Sequence, residues 1–213
     1  MHYTAVEDLF IREEAVDNTA CNVIASKTAT EAAAMTASDI ANGKIIRLTT
    51  AGTIGGTAYE AGDFLKASVA STTLTWAKAT SSDIKGYLQS AVRDWKRWGR
   101  DHSKDLGIAA WVINGDKLGA GAATIELESS ADGVTGWTVI ASASGSATSI
   151  DKNGRLAFFL LPRSGIKQFV RVVVKTTTKF TDGTNALAPI LSVGLENDAE
   201  QDIDASMVQP KID

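Results

Sequence analysis

At 213 residues, with 44% hydrophobic and 22% charged residues, 18 glycines and only 3 prolines, the chain can bury a sizeable core without disulfide or metal staples and is too apolar for disorder. A net charge of −4 opposes nonspecific binding to nucleic acid, and a single cysteine, Cys21, excludes an internal disulfide. No window approaches the roughly 18 apolar residues of a membrane span.

In chain order, the N-terminal MHYTAVEDLFIREEA is acidic and interrupted. It lacks a basic segment leading into an apolar one, so no signal peptide is expected, and the protein is expected to be made and kept in the cytoplasm or assembled there into something larger. Glu14 to Lys27 has weak β character, with Cys21 read as a small half-buried residue that has no activating cation beside it in the sequence. The Ala-rich TATEAAAMTASD, residues 28–39, predicts a short helix, and Ile45 to Thr80 returns to brief strands with glycine turns. In SSDIKGYLQSAVRDWKRWGRD, Ser82 or Asp83 is positioned to cap a helix, and Ile84, Leu88, Val92 and Trp95 recur at helical spacing. Gly99 is its expected stop, while Gly86 weakens its start. Arg93, Lys96, Arg97 and Arg100, interleaved with Trp95 and Trp98, make this the most basic stretch. Cations beside stacking aromatics suit nucleic acid, but an amphipathic element docking on its own domain or on an acidic protein partner is the preferred reading.

From residue 104 onward the text is short strands divided by turns. Strands are predicted at Leu106–Ile113, Ala123–Glu128, Trp137–Ser142, Leu156–Leu161, Phe169–Lys175 and Ile190–Leu195, which argues for a sandwich or jelly roll. In TIELES, Ile125 and Leu127 oppose Glu126 and Glu128; in QFVRVVVK, Val170, Val172 and Val174 oppose Phe169, Arg171, Val173 and Lys175. The second set is a mixed face better suited to an interface than to a dry core. AFFLL does not alternate, so both its faces are expected to meet protein. In PRSG, Pro162 ends one strand and Gly165 permits the turn to the next, with Arg163 at the tip. The closing NDAEQDIDASMVQPKID is acidic and polar, an arm with few apolar anchors.

The residues offer little chemistry. Two histidines, His2 and His102, lack ligand company, and the neighbours Asp101, His102 and Ser103 diverge on a loop instead of converging as a triad does. AGTIGGTAYEAGD and GDKLGAGAAT lack the ending of a phosphate-binding loop and read as hairpin turns. Glu126 and Glu128 share a strand face as a glycosidase pair might demand, though a solvated face accounts for them. Asp132 and Asp151 sit in turns without the further carboxylates of a calcium loop. No catalytic set, metal or cofactor is expected.

The run SKDLGIAAWVINGDKLGAGAATIELESSADGVTGWTVIA, then RLAFFLLPRSGIKQFVRVVVKT and APILSVGLEND, resembles the capsid cement proteins of tailed phages of the Bordetella-phage type. The features that carry it are the DLG segment at Asp105 to Gly107, the turn at Gly121 to Thr124, Ser130 to Gly133, and the corner at Leu161 to Gly165. LFIREEAVDNTACNVIASK, Leu9 to Lys27, is similar to the family's opening segment, with Glu14 where Gln is expected. The resemblance implies an all-β fold: a jelly-roll-like β sandwich, discontinuous over 1–27 and 104–197, with a small β/α module inserted at 28–103 and a polar C-terminal arm at 198–213. It implies a structural virion protein, not an enzyme, that binds the outside of an icosahedral head, bridges major capsid proteins and acts as a dimer or trimer, with no membrane and no direct nucleic-acid partner. Arg93, Trp95, Arg97, Trp98, Arg163 and Arg171 are the candidate protein-interface residues, because aromatics and arginine dominate interface hot spots. The alternatives are a tail- or fibre-associated protein, from the fibre-like AGDFLKASVASTTLTW, and a carbohydrate-binding sandwich using Trp76, Trp111 or Trp137 as stacking platforms.

Overall fold

The computed structural model describes residues 9–96, 106–150, 154–162 and 164–197. Its strands are β1 (Leu9–Ala15), β2 (Val23–Lys27), β3 (Ile45–Leu48), β4 (Gly52–Ile54), β5 (Thr57–Tyr59), β6 (Phe64–Ala70), β7 (Thr73–Lys78), β8 (Tyr87–Gln89), β9 (Arg93–Asp94), β10 (Leu106–Val112), β11 (Ala120–Ser130), β12 (Thr138–Ser146), β13 (Arg155–Leu160), β14 (Phe169–Thr181) and β15 (Ile190–Asn197). One short helix, α1 (Ala29–Ala34), lies between β2 and β3.

The fold is an all-β sandwich. One sheet runs β1-β15-β10-β13 and the other β12-β11-β14-β8, with β9 extending the β8 side of β14. All of these pairings are antiparallel. Alternation decides what lies between the sheets: Ile108, Leu191 and Val193 from the first meet Ile125, Leu127 and Val172 from the second in one core. Each such side chain contributes about 1.5–3 kcal/mol on burial. In β13, Leu156 and Ala157 are buried as expected, whereas Leu160 at the strand end is 49% exposed. GDKLGAG is not a hairpin, because β10 and β11 lie in different sheets and this segment crosses between them through a 3-10 turn at Gly115–Lys117.

A second, smaller unit has its own sheet, β2-β3-β6-β7, with β2 and β3 parallel, and a separate β4-β5 hairpin. The hairpin turn is Gly55-Gly56, both at positive φ, as a two-residue primed turn demands. The helix expected over 28–39 forms only as α1, started by a capping box in which Thr28 and Glu31 bond each other's backbone amides. Ala32, Ile46, Leu48 and Leu65 build its core. The sequence T-x-S-D-I occurs twice, between α1 and β3 and after β7: Thr36 and Thr80 each donate their amide and hydroxyl to an oxygen of Asp39 and Asp83 respectively.

The unit boundaries differ from those expected at 27/28 and 103/104. Val23–Lys27 belongs to the small sheet because it pairs with β3, and Tyr87–Gln89 and Arg93–Asp94 belong to the sandwich because they pair with β14. The helix expected from Ser82 is absent over the described residues to 96. Leu88 packs on the sandwich core while Tyr87 and Gln89 flank it, a period of two that the apolar spacing i, i+4, i+8 also satisfies. Gly86, at φ +58, stands where a Cβ would come within 2.1 Å of the Thr19 carbonyl oxygen, so the chain crosses itself there instead of winding.

Candidate functional site

The polar face of β11 and β14 is the most chemically loaded surface of the described chain, and it is covered. Arg171 donates Nε–H to Glu128 Oε2 at 2.5 Å, and its Nη2 forms an ion pair with the same oxygen. Arg47, from β3 of the small unit, reaches Glu128 at 3.7 Å. Next to them, Lys175 Nζ donates to Glu126 at 2.6 Å. Two guanidiniums share one carboxylate, and aromatic faces meet the excess positive charge: Arg171 lies 3.9 Å from the centroid of Trp137, and Arg47 lies 5.7 Å from that of Phe64. Phe64 in turn packs edge-on against Tyr87 at 5.4 Å.

The backbone explains how this assembles. In β3, Ile46 and Leu48 point into the small core, so the alternation turns Ile45 and Arg47 the other way. Phe64 is the register partner of Arg47 and shares that side. The small sheet thus lays Arg47 and Phe64 against the outer face of the sandwich, and Arg171 and Val173 beneath are 1% and 0% exposed. Asn22 ties the units further, donating Nδ2–H to the Asp83 carbonyl at 2.7 Å and accepting the Lys85 amide at 2.8 Å. Burial pushes the Glu128 carboxyl up while Arg47 pulls it back, and burial likewise pushes the Tyr87 phenol up and lowers Arg47. Arg47 Nε finds no hydrogen-bond partner among the described residues.

No protein-family model, no curated protein and no solved structure matches the chain.

Three of the six expected interface residues are described, and two are corrected. Arg171 is buried, and the surface it meets belongs to its own chain and not to a partner. Trp95 is 7% exposed within the sandwich core, so it is not available as a surface anchor. Its amide donates to the Gln168 carbonyl, a strand-like contact that turns the ring inward. Arg93 is half-buried, lies over the Phe10 ring at 5.4 Å and donates to the Leu9 carbonyl, which anchors β1. Arg97, Trp98 and Arg163 lie outside the described residues, as do His102 and Asp151.

Sequence reasoning missed Arg47. Its signal was a lone charge inside IIRL, where an exposed strand would alternate. The suspected Glu126 and Glu128 pair is held by Lys175 and Arg171, so neither carboxylate is free. Trp137 offers no open ring for a sugar, since Arg171 covers it and its Nε1–H donates to the Val134 carbonyl at 3.1 Å. Asp132 accepts from the Val134 and Thr135 amides and from the Thr135 and Ser130 hydroxyls, which uses its carboxylate to shape a turn. Among the described residues no three His, Cys, Asp or Glu side chains converge as a metal site. The Cys21 thiol faces the Val23 carbonyl at 3.5 Å, and burial pushes its pKa up, away from a reactive thiolate.

Proposed function

We propose that this chain is a structural virion protein, a capsid cement protein that binds the outer surface of an icosahedral phage head and bridges neighbouring major capsid proteins. The observation that carries the reading is the pairing of the sandwich strands. With β2 to β7 set aside and β8 and β9 counted as one interrupted strand, the eight strands pair first with eighth (β1·β15), second with seventh (β8·β14), third with sixth (β10·β13) and fourth with fifth (β11·β12). One long antiparallel hairpin rolled into two layers produces that pairing, and the same roll underlies jelly-roll capsid folds. It supports the resemblance carried by the DLG, Ser130 to Gly133 and Leu161 to Gly165 segments.

The buried charge cluster supports the reading in a second way. The richest set of ionisable groups on the described surface is spent on fixing one unit to another. A protein fastened this way presents a two-unit body to its partner, and many modest contacts repeated over a shell add up through avidity. Exposed Val134 and Val139, at 60% and 50%, are apolar contact groups on the β11-β12 side.

The test is direct. Purified protein mixed with expanded heads lacking their cement protein is expected to bind saturably at a fixed number of copies per capsomer and to raise the resistance of the heads to heat. Heads that take up no protein, or virions whose immunogold label lies on the tail, overturn the proposal.

A further inference from the structure

We infer that β7 is a homotypic docking edge: two copies of this chain join through antiparallel pairing of β7 with β7 about a two-fold axis at Thr75, making one eight-stranded sheet from the two small units. The inference does not depend on the capsid reading.

β7 is the last strand of the order β2-β3-β6-β7, and among the described strands it pairs with β6 alone. An unpaired edge is a template for another strand, and proteins ordinarily blunt it with proline, a bulge, charged side chains or a covering loop. β7 carries no proline and no bulge, and a single charge. Its sequence is TLTWAK, its register with β6 runs from Ala70↔Thr73 to Leu65↔Lys78 without a shift, and its one charge, Lys78, is engaged by Asp63 at 2.6 Å.

The direction of the backbone groups follows from the register. The Ala79 amide donates to the Phe64 carbonyl, so Thr73, Thr75, Ala77 and Ala79 turn their amides and carbonyls toward β6. Leu74, Trp76 and Lys78 turn theirs to the open edge. The Tyr59 hydroxyl donates to the Trp76 carbonyl at 3.1 Å, which marks that carbonyl as outward and leaves its second lone pair for a strand partner.

These directions select a second copy and a register. With Thr75 opposite Thr75, Leu74 of one copy stands opposite Trp76 of the other, and both outward pairs exchange amide and carbonyl bonds. On the inner face this sets an aliphatic side chain beside an aromatic one, and both already pack on the small core, so the apolar layer continues from copy to copy. On the opposite face, the one that carries Arg47 and Phe64 against the sandwich, Thr75 meets Thr75, a favourable pair, and Thr73 meets Ala77. Each Lys78 falls opposite position 72, so the two lysines stand at opposite ends and no like charges meet. The strand is thus complementary to itself, as a two-fold contact requires.

The test uses the full chain. Wild type is expected to sediment as a dimer, and Thr75→Asp and Thr75→Lys, at a side chain that is exposed in the monomer, are each expected to weaken it roughly tenfold by opposing like charges at the axis. An equimolar mixture of the two variants is expected to restore the dimer, which separates a contact at this axis from a folding defect. In a Cys21→Ser background, Thr75→Cys is expected to form a disulfide between copies, because facing residues of a non-hydrogen-bonded pair stand about 4.5 Å apart, within disulfide reach. A wild-type monomer at the highest concentration reached, a dimer indifferent to both charges, or a mixture that stays monomeric overturns the inference.

Discussion

Arg171 and Glu128 are direct register partners across β14 and β11, and the guanidinium Nε–H meets the carboxylate at 2.5 Å with the arginine 1% exposed. Removing one member of such a pair strands the other in a desolvated site, which costs about 3–5 kcal/mol, whereas replacing the whole set with apolar groups of similar volume is near neutral. Arg171→Met and Glu128→Met are therefore each expected to lower stability by about 3–5 kcal/mol in urea unfolding. Arg47→Met is expected to cost less, since Arg47 makes only a 3.7 Å ion pair to Glu128 and its Nε is unbonded among the described residues. The triple variant is expected to recover most of the single losses. Additive losses through the triple would show that the three charges do not act as one cluster.

How far this cluster was legible differs residue by residue. The alternation in TIELES and QFVRVVVK placed Glu128 and Arg171 each opposite the core side of its own strand, because a period of two is a local property of the chain, but the face of Glu128 read as solvated and only that of Arg171 as an interface. Its partner was not legible. Arg47 lies far from Arg171 in sequence, and strand order is set by packing between distant segments, which no short window carries. The helix expected over Ser82 to Gly99 is absent over the described residues to 96 for a related reason. Ile84, Leu88 and Val92 satisfy helical and extended spacing alike, and the pairing of β8 with β14, together with the crossing at Gly86, decides between them. The turn at Gly55-Gly56 was legible, since positive φ is a demand on the residue itself, whereas the glycines of GDKLGAG mark a bend without saying which sheet the next strand joins.

Two glycines at the same φ of +58 separate strain from crowding. A Cβ at Gly55 meets nothing within 4 Å, so Gly55→Ala carries only the left-handed backbone penalty, about 1–2 kcal/mol. A Cβ at Gly86 stands 2.1 Å from the Thr19 carbonyl oxygen and 2.8 Å from the Cys21 nitrogen. Both obstacles are backbone, so Gly86→Ala must part the segments where the small unit joins the sandwich. It is expected to exceed Gly55→Ala by at least about 2 kcal/mol, a difference of the size overpacking produces. Equal midpoints in urea for the two variants would refute the crossing.

Acid weakens this fold through its turn aspartates. Asp83 is held far below the ordinary carboxylate range, first by the bond from Lys66 and then by the Thr80 amide and hydroxyl; Asp132 is held there by the Thr135 hydroxyl and the Val134 and Thr135 amides. Asp17, Asp39 and Asp63 are lowered as well. A carboxylate depressed in the folded state contributes stability that is present above its unfolded value, about pH 4, and lost as pH falls from there through the folded value. The unfolding midpoint in urea is expected to hold steady from neutrality down to about pH 5 and drop below about pH 4. In Asp83→Asn with Asp132→Asn the midpoint starts lower and falls less steeply, so the gap to wild type narrows in acid. A gap independent of pH counts against this account.

Ser71 marks a place where the sequence works against its own turn. β6 and β7 are joined by Ser71-Thr72 alone, with Ala70 and Thr73 the last register pair, and Ser71 sits at φ +56. Two-residue hairpin loops need positive φ at the first turn position, where glycine is the favoured residue, and a side chain there costs about 1–2 kcal/mol. Glycine removes that strain but loses more freedom on folding, a penalty of about 0.5–1 kcal/mol. Ser71→Gly is expected to stabilise the protein by the difference, about 0.5–1 kcal/mol. Ser71→Val is expected to destabilise it, because a β-branched residue tolerates positive φ least. The gain is read as a higher urea midpoint at unchanged slope, which distinguishes relief of strain in the native turn from a change in the unfolded chain. Since the same hairpin holds β7 in register with its neighbour, relief of strain in this turn also favours the register that directs the Leu74 and Trp76 amides to the open edge.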